Sequence, residues 1–325
     1  MPKLPTDLLE PPGRGPIRDD RRIGGTYEAS REEAGLAQIL RGDFGLHGVT
    51  EPPDTASVAA LNLTPSPGAV ERNLLLAEEA ITEAKTAHPD LRWVVLPEIY
   101  VSGYTSLRTA HQYAEDAEEG PSVRRFSALA RSLGIYIAYG FAERHPGTTG
   151  PSGISDSANL VGPEGKLLTY RKRHLVPETG EDQVFVPGVD LPSAEAGGLR
   201  VSLAICWDLG FPEVVREAAH DGTELILAPA GWRALYARQY ELSCAARALD
   251  NGVYLASANQ VGEYQEARFG TPGGVYGPDG RRISETTGNR SVGTVDRHAS
   301  ISWRSCYGNT LYQYGASPAS LEACS

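Results

Sequence analysis

From residue 55 onward, short apolar runs of β type alternate with segments whose apolar residues recur at helical spacing. SVAALNL (57–63) reads as the first core strand, and a helix-period pattern through 70–87 follows it. WVVLPEIYVSGY (93–104) opens on a second buried strand, before a helix near 121–133 and the strand IYIAYGFA (135–142). Strands near 156–162 and 166–171 form a hairpin about a Gly-Pro-Glu-Gly turn. LRVSLAIC (199–206) leads into a helix to about 221, then come TELILAPA (223–230), a long helix over 233–250 and VYLASAN (253–259). A last hairpin turns at Gly277-Pro278-Asp279-Gly280. Such helix–strand alternation predicts a layered α/β domain over 55–297. Upstream, 1–54 is an extension: a Pro-, Gly-, Arg- and Asp-rich arm over 1–25, then a helical pattern through Leu36, Ile39 and Leu40. The tail 298–325, dense in aromatics and Gly at first, fits a core edge, a pocket lid or an oligomer contact.

Three strand ends carry chemistry. The apolar run LRVSLAICWDLGFPEV (199–214) stops in Cys206-Trp207-Asp208 and passes through Gly210-Phe211-Pro212-Glu213 into a helix. A thiol at the end of a buried strand is where a Cys nucleophile is placed, although a buried Cys is more often an inert small hydrophobe. Glu98 follows Pro97 after four apolar residues, in a segment too apolar to be surface. Buried carboxylates are rare unless partnered. LLTYRKRHLVP (167–177) delivers Arg171-Lys172-Arg173, and alternation sends Lys172 to the side opposite both arginines. The bland reading of that triplet is a solvated basic face. Open α/β sheets place chemistry at the carboxyl ends of their strands, and thiol, carboxylate and ammonium fit one reaction. The thiolate attacks a carbonyl or nitrile carbon, the carboxylate moves protons, and the ammonium stabilises the developing charge. A nearby ammonium and a helix N-terminus would help the thiol to ionise.

In order and local context, Glu98, Lys172 and Cys206 resemble the Glu-Lys-Cys triad of the nitrilase superfamily, the carbon–nitrogen hydrolases. Pro97-Glu98 with Gly103-Tyr104, Tyr170-Arg171-Lys172 with His174-Leu175, and Cys206-Trp207-Asp208 with Phe211-Pro212-Glu213 carry the likeness. Pro229-Ala230 with Trp232, AARALDNGVYLASANQVG (245–262) and the turn at 277–280 extend it. The resemblance implies an α/β fold of αββα sandwich type, pairing into αββα–αββα dimers or larger homo-oligomers, with C-terminal segments exchanged between subunits. It implies Cys206 as nucleophile, Glu98 as proton carrier, and Lys172 with the Trp207 N–H as oxyanion donors. A second glutamate is Glu181 in preference to Glu178, a plain acidic loop being the alternative. Tyr104, Trp207 and Trp232 become candidate substrate-binding walls, or simply core aromatics. Gly210 stands where many members carry Arg, Gly231 replaces a frequent Asn, and Asp208 replaces the Glu of true nitrilases. These departures weaken an N-carbamoyl or nitrile substrate and favour a small amide. The rival of another class is a binding or structural subunit that kept the fold and lost turnover; the intact triad argues against it.

Composition narrows the picture further. A formal net charge of −11 argues against general affinity for nucleic acid or acidic membranes. The four cysteines, Cys206, Cys244, Cys306 and Cys324, show no CxxC pair or metal-ligand spacing, so no metal and no other cofactor is expected. Of seven histidines, His174 and His220 are the rivals to Lys172 in a Cys–His arrangement, but no papain-like or caspase-like signature surrounds the cysteine. No signal-like or membrane-length apolar run is present, so cytoplasmic residence with reduced thiols is the expectation.

Overall fold

Strands that bury both faces need a layer on each side, and the computed structural model supplies them. It describes residues 55–104, 107–148, 153–264, 267–300 and 303. The expected arm and helix within 1–54, and the tail beyond 303, lie outside the described residues.

The strands are β1 (Thr55–Leu61), β2 (Leu91–Val95), β3 (Tyr136–Arg144), β4 (Ile154–Gly162), β5 (Gly165–Arg171), β6 (Ser193–Ala196) and β7 (Leu199–Leu203). They continue as β8 (Leu225–Ala230), β9 (Tyr254–Asn259), β10 (Gly262–Tyr264), β11 (Ala267–Phe269), β12 (Gly274–Tyr276), β13 (Glu285–Thr287) and β14 (Arg290–Asp296). The helices are α1 (Val70–Ala87), α2 (Pro121–Leu133), α3 (Pro212–His220) and α4 (Ala237–Asn251). A seven-stranded sheet runs β13-β14-β1-β2-β3-β4-β5, and a five-stranded sheet runs β12-β9-β8-β7-β6. β1, β2 and β3 are mutually parallel, as are β7, β8 and β9.

Period-two alternation sorts the side chains into layers. Ala59, Leu61, Val94, Ile137, Tyr139 and Phe141 pack under α1 and α2, against Leu74, Ala77, Ile81, Phe126 and Ala130. Their neighbours Val58, Ala60, Trp93, Val95 and Ala138 point the other way and join the core built on the five-stranded sheet. On that sheet, Ser257 accepts a hydrogen bond from Tyr240 of α4, while Tyr254 reaches the Asp296 carbonyl of β14. One face of β9 therefore serves a helix and the other serves the opposite sheet. The order of layers is helix, sheet, sheet, helix: the αββα sandwich. Trp93 ties the two sheets directly, its indole N–H donating to the Ala196 carbonyl at 3.0 Å.

Most expected elements form within a few residues of the periodicity, and Pro121 and Pro212 start their helices as proline at a first turn should. The 277–280 turn forms as expected. Gly280 N–H donates to the Gly277 carbonyl at 2.8 Å, and the chain pairs across the turn through Gly277 N–H to the Arg281 carbonyl (2.9 Å), Ile283 N–H to the Val275 carbonyl (2.8 Å) and an antiparallel bridge of Tyr276 with Arg282. A further hairpin, β13 with β14, follows it, with Thr287 opposite Arg290. β6, β10 and β11 have three or four residues each, too short for a period to show.

Trp93→Ala is expected to lower the unfolding free energy by about 3–5 kcal/mol, because a fully buried indole is lost from between the sheets. Denaturant titration checks this, with an unchanged m-value as the sign that the fold survives.

Candidate active site

The segments that leave β2, β5, β7 and β8 meet in one buried cluster. Glu98 lies in the turn after β2, where Ile99 takes a left-handed backbone conformation (φ 46°) that ends the strand abruptly. The Glu98 N–H donates to the Ala230 carbonyl at the end of β8 (3.3 Å), and the Gly140 N–H of β3 donates to the Pro97 carbonyl (3.3 Å). Gly140 passes so close that a Cβ there would sit 2.5 Å from the Ile99 nitrogen and 2.7 Å from the Glu98 Cα.

Lys172 follows β5. Its N–H donates to the Asp156 carbonyl of β4 at 2.9 Å, and its own carbonyl accepts from Gly188, also at 2.9 Å. Arg171 and Arg173 pair with Glu143 and Glu217, whereas the Lys172 side chain is fully buried, as alternation requires. Cys206 follows β7 with φ at 45°, a left-handed conformation that is strained for a residue with a Cβ and aims the thiol away from the strand. Asp208 holds this elbow. Its carboxylate accepts from Tyr170 Oη (2.8 Å), the His174 N–H (2.9 Å) and the Ile205 N–H (3.1 Å), and lies 2.8 Å from His174 Nδ1. The His174 ring stacks on Phe211 with centroids 3.7 Å apart. His174 thus joins the lysine loop to the cysteine elbow as a packing residue.

Lys172 Nζ is 2.6 Å from Glu98 Oε1 and 2.7 Å from Glu181 Oε2, with Asp156 Oδ2 at 3.4 Å. Tyr104 donates its hydroxyl to Glu98 Oε2, and the Val176 N–H donates to Glu181 Oε2 at 3.0 Å. Glu181 is thereby drawn in, while Glu178 stays exposed. Burial works against the Lys172 charge, but its acidic neighbours, Glu98 first, outweigh it and hold the ammonium well above the ordinary lysine range. Burial would raise the Glu98 carboxyl, yet the Lys172 charge and the hydrogen bonds from its neighbours, Lys172 and Tyr104 among them, bring it below its ordinary value. Burial and the Glu98 charge push the Cys206 thiol well up; Lys172, chief of the opposing groups, does not outweigh them.

This last result corrects the expectation that the ammonium and a helix start ionise the thiol. The Lys172 charge is already matched by two close carboxylates. The elbow itself is a short 3-10 turn, Cys206–Gly210, and α3 begins only at Pro212.

Residues 57–305 match the family described as carbon-nitrogen hydrolase. The chain belongs to the carbon-nitrogen hydrolase family. It is 33% identical over 246 residues to the "Hydrolase in pqqF 5′region" of Pseudomonas protegens, covering 75% of this chain and 84% of that protein. It is 32% identical over 229 residues to a probable nitrilase of Schizosaccharomyces pombe, covering 70% and 83%. Among solved structures, Saccharomyces cerevisiae Nit3 of the nitrilase superfamily superposes with TM-score 0.71 at 25% identity, covering 78% of this chain and 94% of that one. An amidase from Nesterenkonia sp. gives 0.66 at 26% identity, covering 85% and 97%. The family's sandwich is the fold observed.

The aromatic candidates divide. Trp207 is half-buried and meets the buried Trp232 at 5.3 Å between centroids, and Trp232 packs on Tyr240 at 5.7 Å. Tyr104 lies inside the cluster, bonded to Glu98 and stacked on Phe269 at 5.9 Å. Gly231, where the family frequently carries Asn, leaves the room that the phenol fills: a Cβ there would be 2.6 Å from Tyr104 Cε2 and 2.8 Å from Glu98 Oε2. The sequence reading missed Asp156. The signal was present, since Ile154, Asp156, Ala158 and Leu160 share one face of β4 and the other three are buried apolar residues. Among the described residues no cluster of three His, Cys, Asp or Glu side chains is arranged to hold a metal ion, and no helix is long and apolar enough to cross a membrane.

Gly140→Ala is expected to push the Glu98 turn off β3 and lower stability by about 1–3 kcal/mol. An unfolding titration and a crystal structure of the variant check both effects, a lengthened Lys172–Glu98 contact being the expected geometry.

Proposed function

We propose that the protein hydrolyses a small amide to a carboxylate and ammonia or an amine, through a thioester on Cys206. One observation carries this reading: a buried ammonium is clamped between two carboxylates, and both carboxylates and the ammonium act electrostatically on the same buried thiol. Glu98 is ionised and the thiol is neutral in the free protein, so the proton moves as the sulfur attacks. Glu98 accepts the Sγ proton while the C–S bond forms, and the amide oxygen becomes an oxyanion facing Lys172 Nζ and the Trp207 N–H. Glu98 then returns the proton to the nitrogen, the C–N bond breaks, and ammonia or amine departs. Water, deprotonated by Glu98, attacks the thioester and the released thiolate recovers its proton. Glu181 keeps Lys172 oriented and charged through both steps. Its own carboxyl is raised, chiefly by burial, with Lys172 opposing.

The favoured substrate class rests on the chain's likeness to amidases and on Asp208, whose carboxylate is fully engaged by Tyr170, His174 and Ile205. A nitrile or an N-carbamoyl compound is the alternative, and a member that binds without turnover is the alternative of another class. A nucleophilic thiol works only in its reduced form, so a reducing compartment such as the cytoplasm suits the chemistry.

Cys206→Ala is expected to lower amide turnover by about a thousandfold or more with an unchanged unfolding transition. Unchanged turnover in that variant defeats the assignment. Rates on an amide and its matching nitrile, measured side by side, decide the substrate class. With Glu98 lowered and Cys206 raised, kcat/KM is expected to fall as pH drops through the Glu98 value. It should stay flat across neutral pH. An inflection near the ordinary thiol value, about 8.5, would show instead that a free thiolate does the work.

A further inference from the structure

Four ionisable side chains, Glu98, Asp156, Lys172 and Glu181, fill one buried volume, and the charges do not balance. The ammonium faces three carboxyl groups. It directs two of its three N–H bonds at Glu98 and Glu181, at 2.6 and 2.7 Å, whereas Asp156 Oδ2 stands back at 3.4 Å. Charge-assisted N–H to carboxylate bonds are shorter, about 2.7–2.9 Å. No N–H or O–H of the described residues donates to either oxygen of Asp156. Every other carboxylate of the cluster has donors: Glu98 has Lys172 and Tyr104, and Glu181 has Lys172 and the Val176 N–H. The flanking residues of β4 give no help, because Ser155 and Ser157 face the opposite side, bonded to the Val186 carbonyl and Glu143. A buried carboxylate that accepts nothing is the most expensive state this side chain can take. The Asp156 and Glu98 carboxyl groups, however, face the same ammonium, Oδ2 at 3.4 Å and Oε1 at 2.6 Å from Lys172 Nζ, and so are close enough to act on each other.

We infer that Asp156 is a neutral carboxylic acid whose proton bridges to Glu98, so that it serves as a positioning residue for the base of the reaction proposed above. The arrangement explains how three carboxyl groups share one cation. Asp156 keeps its proton, donates it as a hydrogen bond, and adds no second negative charge beside the thiol. A hydrogen bond to the charged form of a carboxyl group stabilises that form. Asp156 thereby helps Tyr104 and Lys172 to keep Glu98 ionised and in one orientation, ready to accept the Cys206 proton. The groups that face Asp156 favour its neutral form on balance. Burial, then the Glu98 charge, raise its carboxyl well above the ordinary range, and Glu181 adds to this while Lys172 alone opposes.

The sign of one shift tests the inference. In Asp156→Asn the side-chain amide still donates to Glu98, so kcat/KM is expected to stay within about threefold of wild type with its acidic limb unmoved. In Asp156→Ala that donor is lost, the ionised form of Glu98 is less favoured, and the acidic limb is expected to move to higher pH by about one unit. An ionised Asp156 would repel Glu98, so both variants would then move the limb to lower pH, which overturns the inference. A profile unmoved in both variants overturns it too, leaving Asp156 a packing residue. A second measurement needs no substrate and so stands apart from the functional reading. Infrared difference spectra at neutral pH, with the aspartate carboxyl carbons isotopically labelled, are expected to show a protonated-acid carbonyl band that disappears in Asp156→Asn. A lost carboxylate band in its place overturns the inference even if no amide is ever hydrolysed. Should Asp156→Asn not fold, the labelled wild-type protein still decides. The acid band must persist from acidic to neutral pH, and its absence at neutral pH counts against the inference.

Discussion

A lysine ammonium with no solvent contact is the constraint on which this site depends. Taken from water alone, that charge would cost several kcal/mol after any relaxation, and the protein meets the cost with two carboxylates at hydrogen-bond distance. Those carboxylates come from unrelated parts of the chain, the turn after β2 and the loop after β5. The buried cation therefore sets the fold's tolerances as well as its chemistry. Gly140 must be glycine-sized so that the Glu98 turn can lie on β3, and Gly231 must be so for Tyr104 to reach Glu98. Asp208, by joining Tyr170, His174 and Ile205, keeps the lysine loop and the cysteine elbow in register.

The same charge pattern decides how the thiol works. A lone ammonium beside a cysteine favours thiolate, but this ammonium is more than matched. Cys206 lies in a buried, carboxylate-rich cluster that favours its protonated form, and in the mechanism proposed the sulfur keeps its proton until something is there to be attacked. This differs from a cysteine activated in advance by an imidazolium or a helix N-terminus. In the mechanism proposed, proton transfer and attack become one event, with Glu98 as the base because Lys172 and Tyr104 favour its charged form.

Much of this was legible from the residues. The strand ends that carry Glu98, Lys172 and Cys206 are apolar runs broken by single polar residues, and α2 begins and ends where its periodicity does. Alternation alone put Lys172 opposite Arg171 and Arg173. What the sequence hid follows from physics that pattern does not encode. The sign of the thiol shift depends on how many carboxyl groups surround one ammonium, a count that needs three dimensions. The signal for Asp156, its place with Ile154, Ala158 and Leu160 on one face of β4, is masked in one dimension by its polar neighbours Ser155, Ser157 and Asn159. Past β12 the Gly-Pro-Asp-Gly turn is legible and the chain pairs across it, whereas the short β13–β14 hairpin beyond it is too brief for a period to show. The close approaches at Gly140 and Gly231 depend on atoms from distant segments, and no local signal reports that.

The central claim is that the thiol of Cys206 does covalent work from within the Lys172 cluster. Rapid-quench intact mass spectrometry during amide turnover, followed by peptide mapping, addresses it most directly. The account predicts an acyl adduct on Cys206 that forms and decays at rates compatible with turnover and is absent in Lys172→Ala. Turnover with no adduct on Cys206 at any time, or an adduct on another residue with the same kinetics, would contradict it.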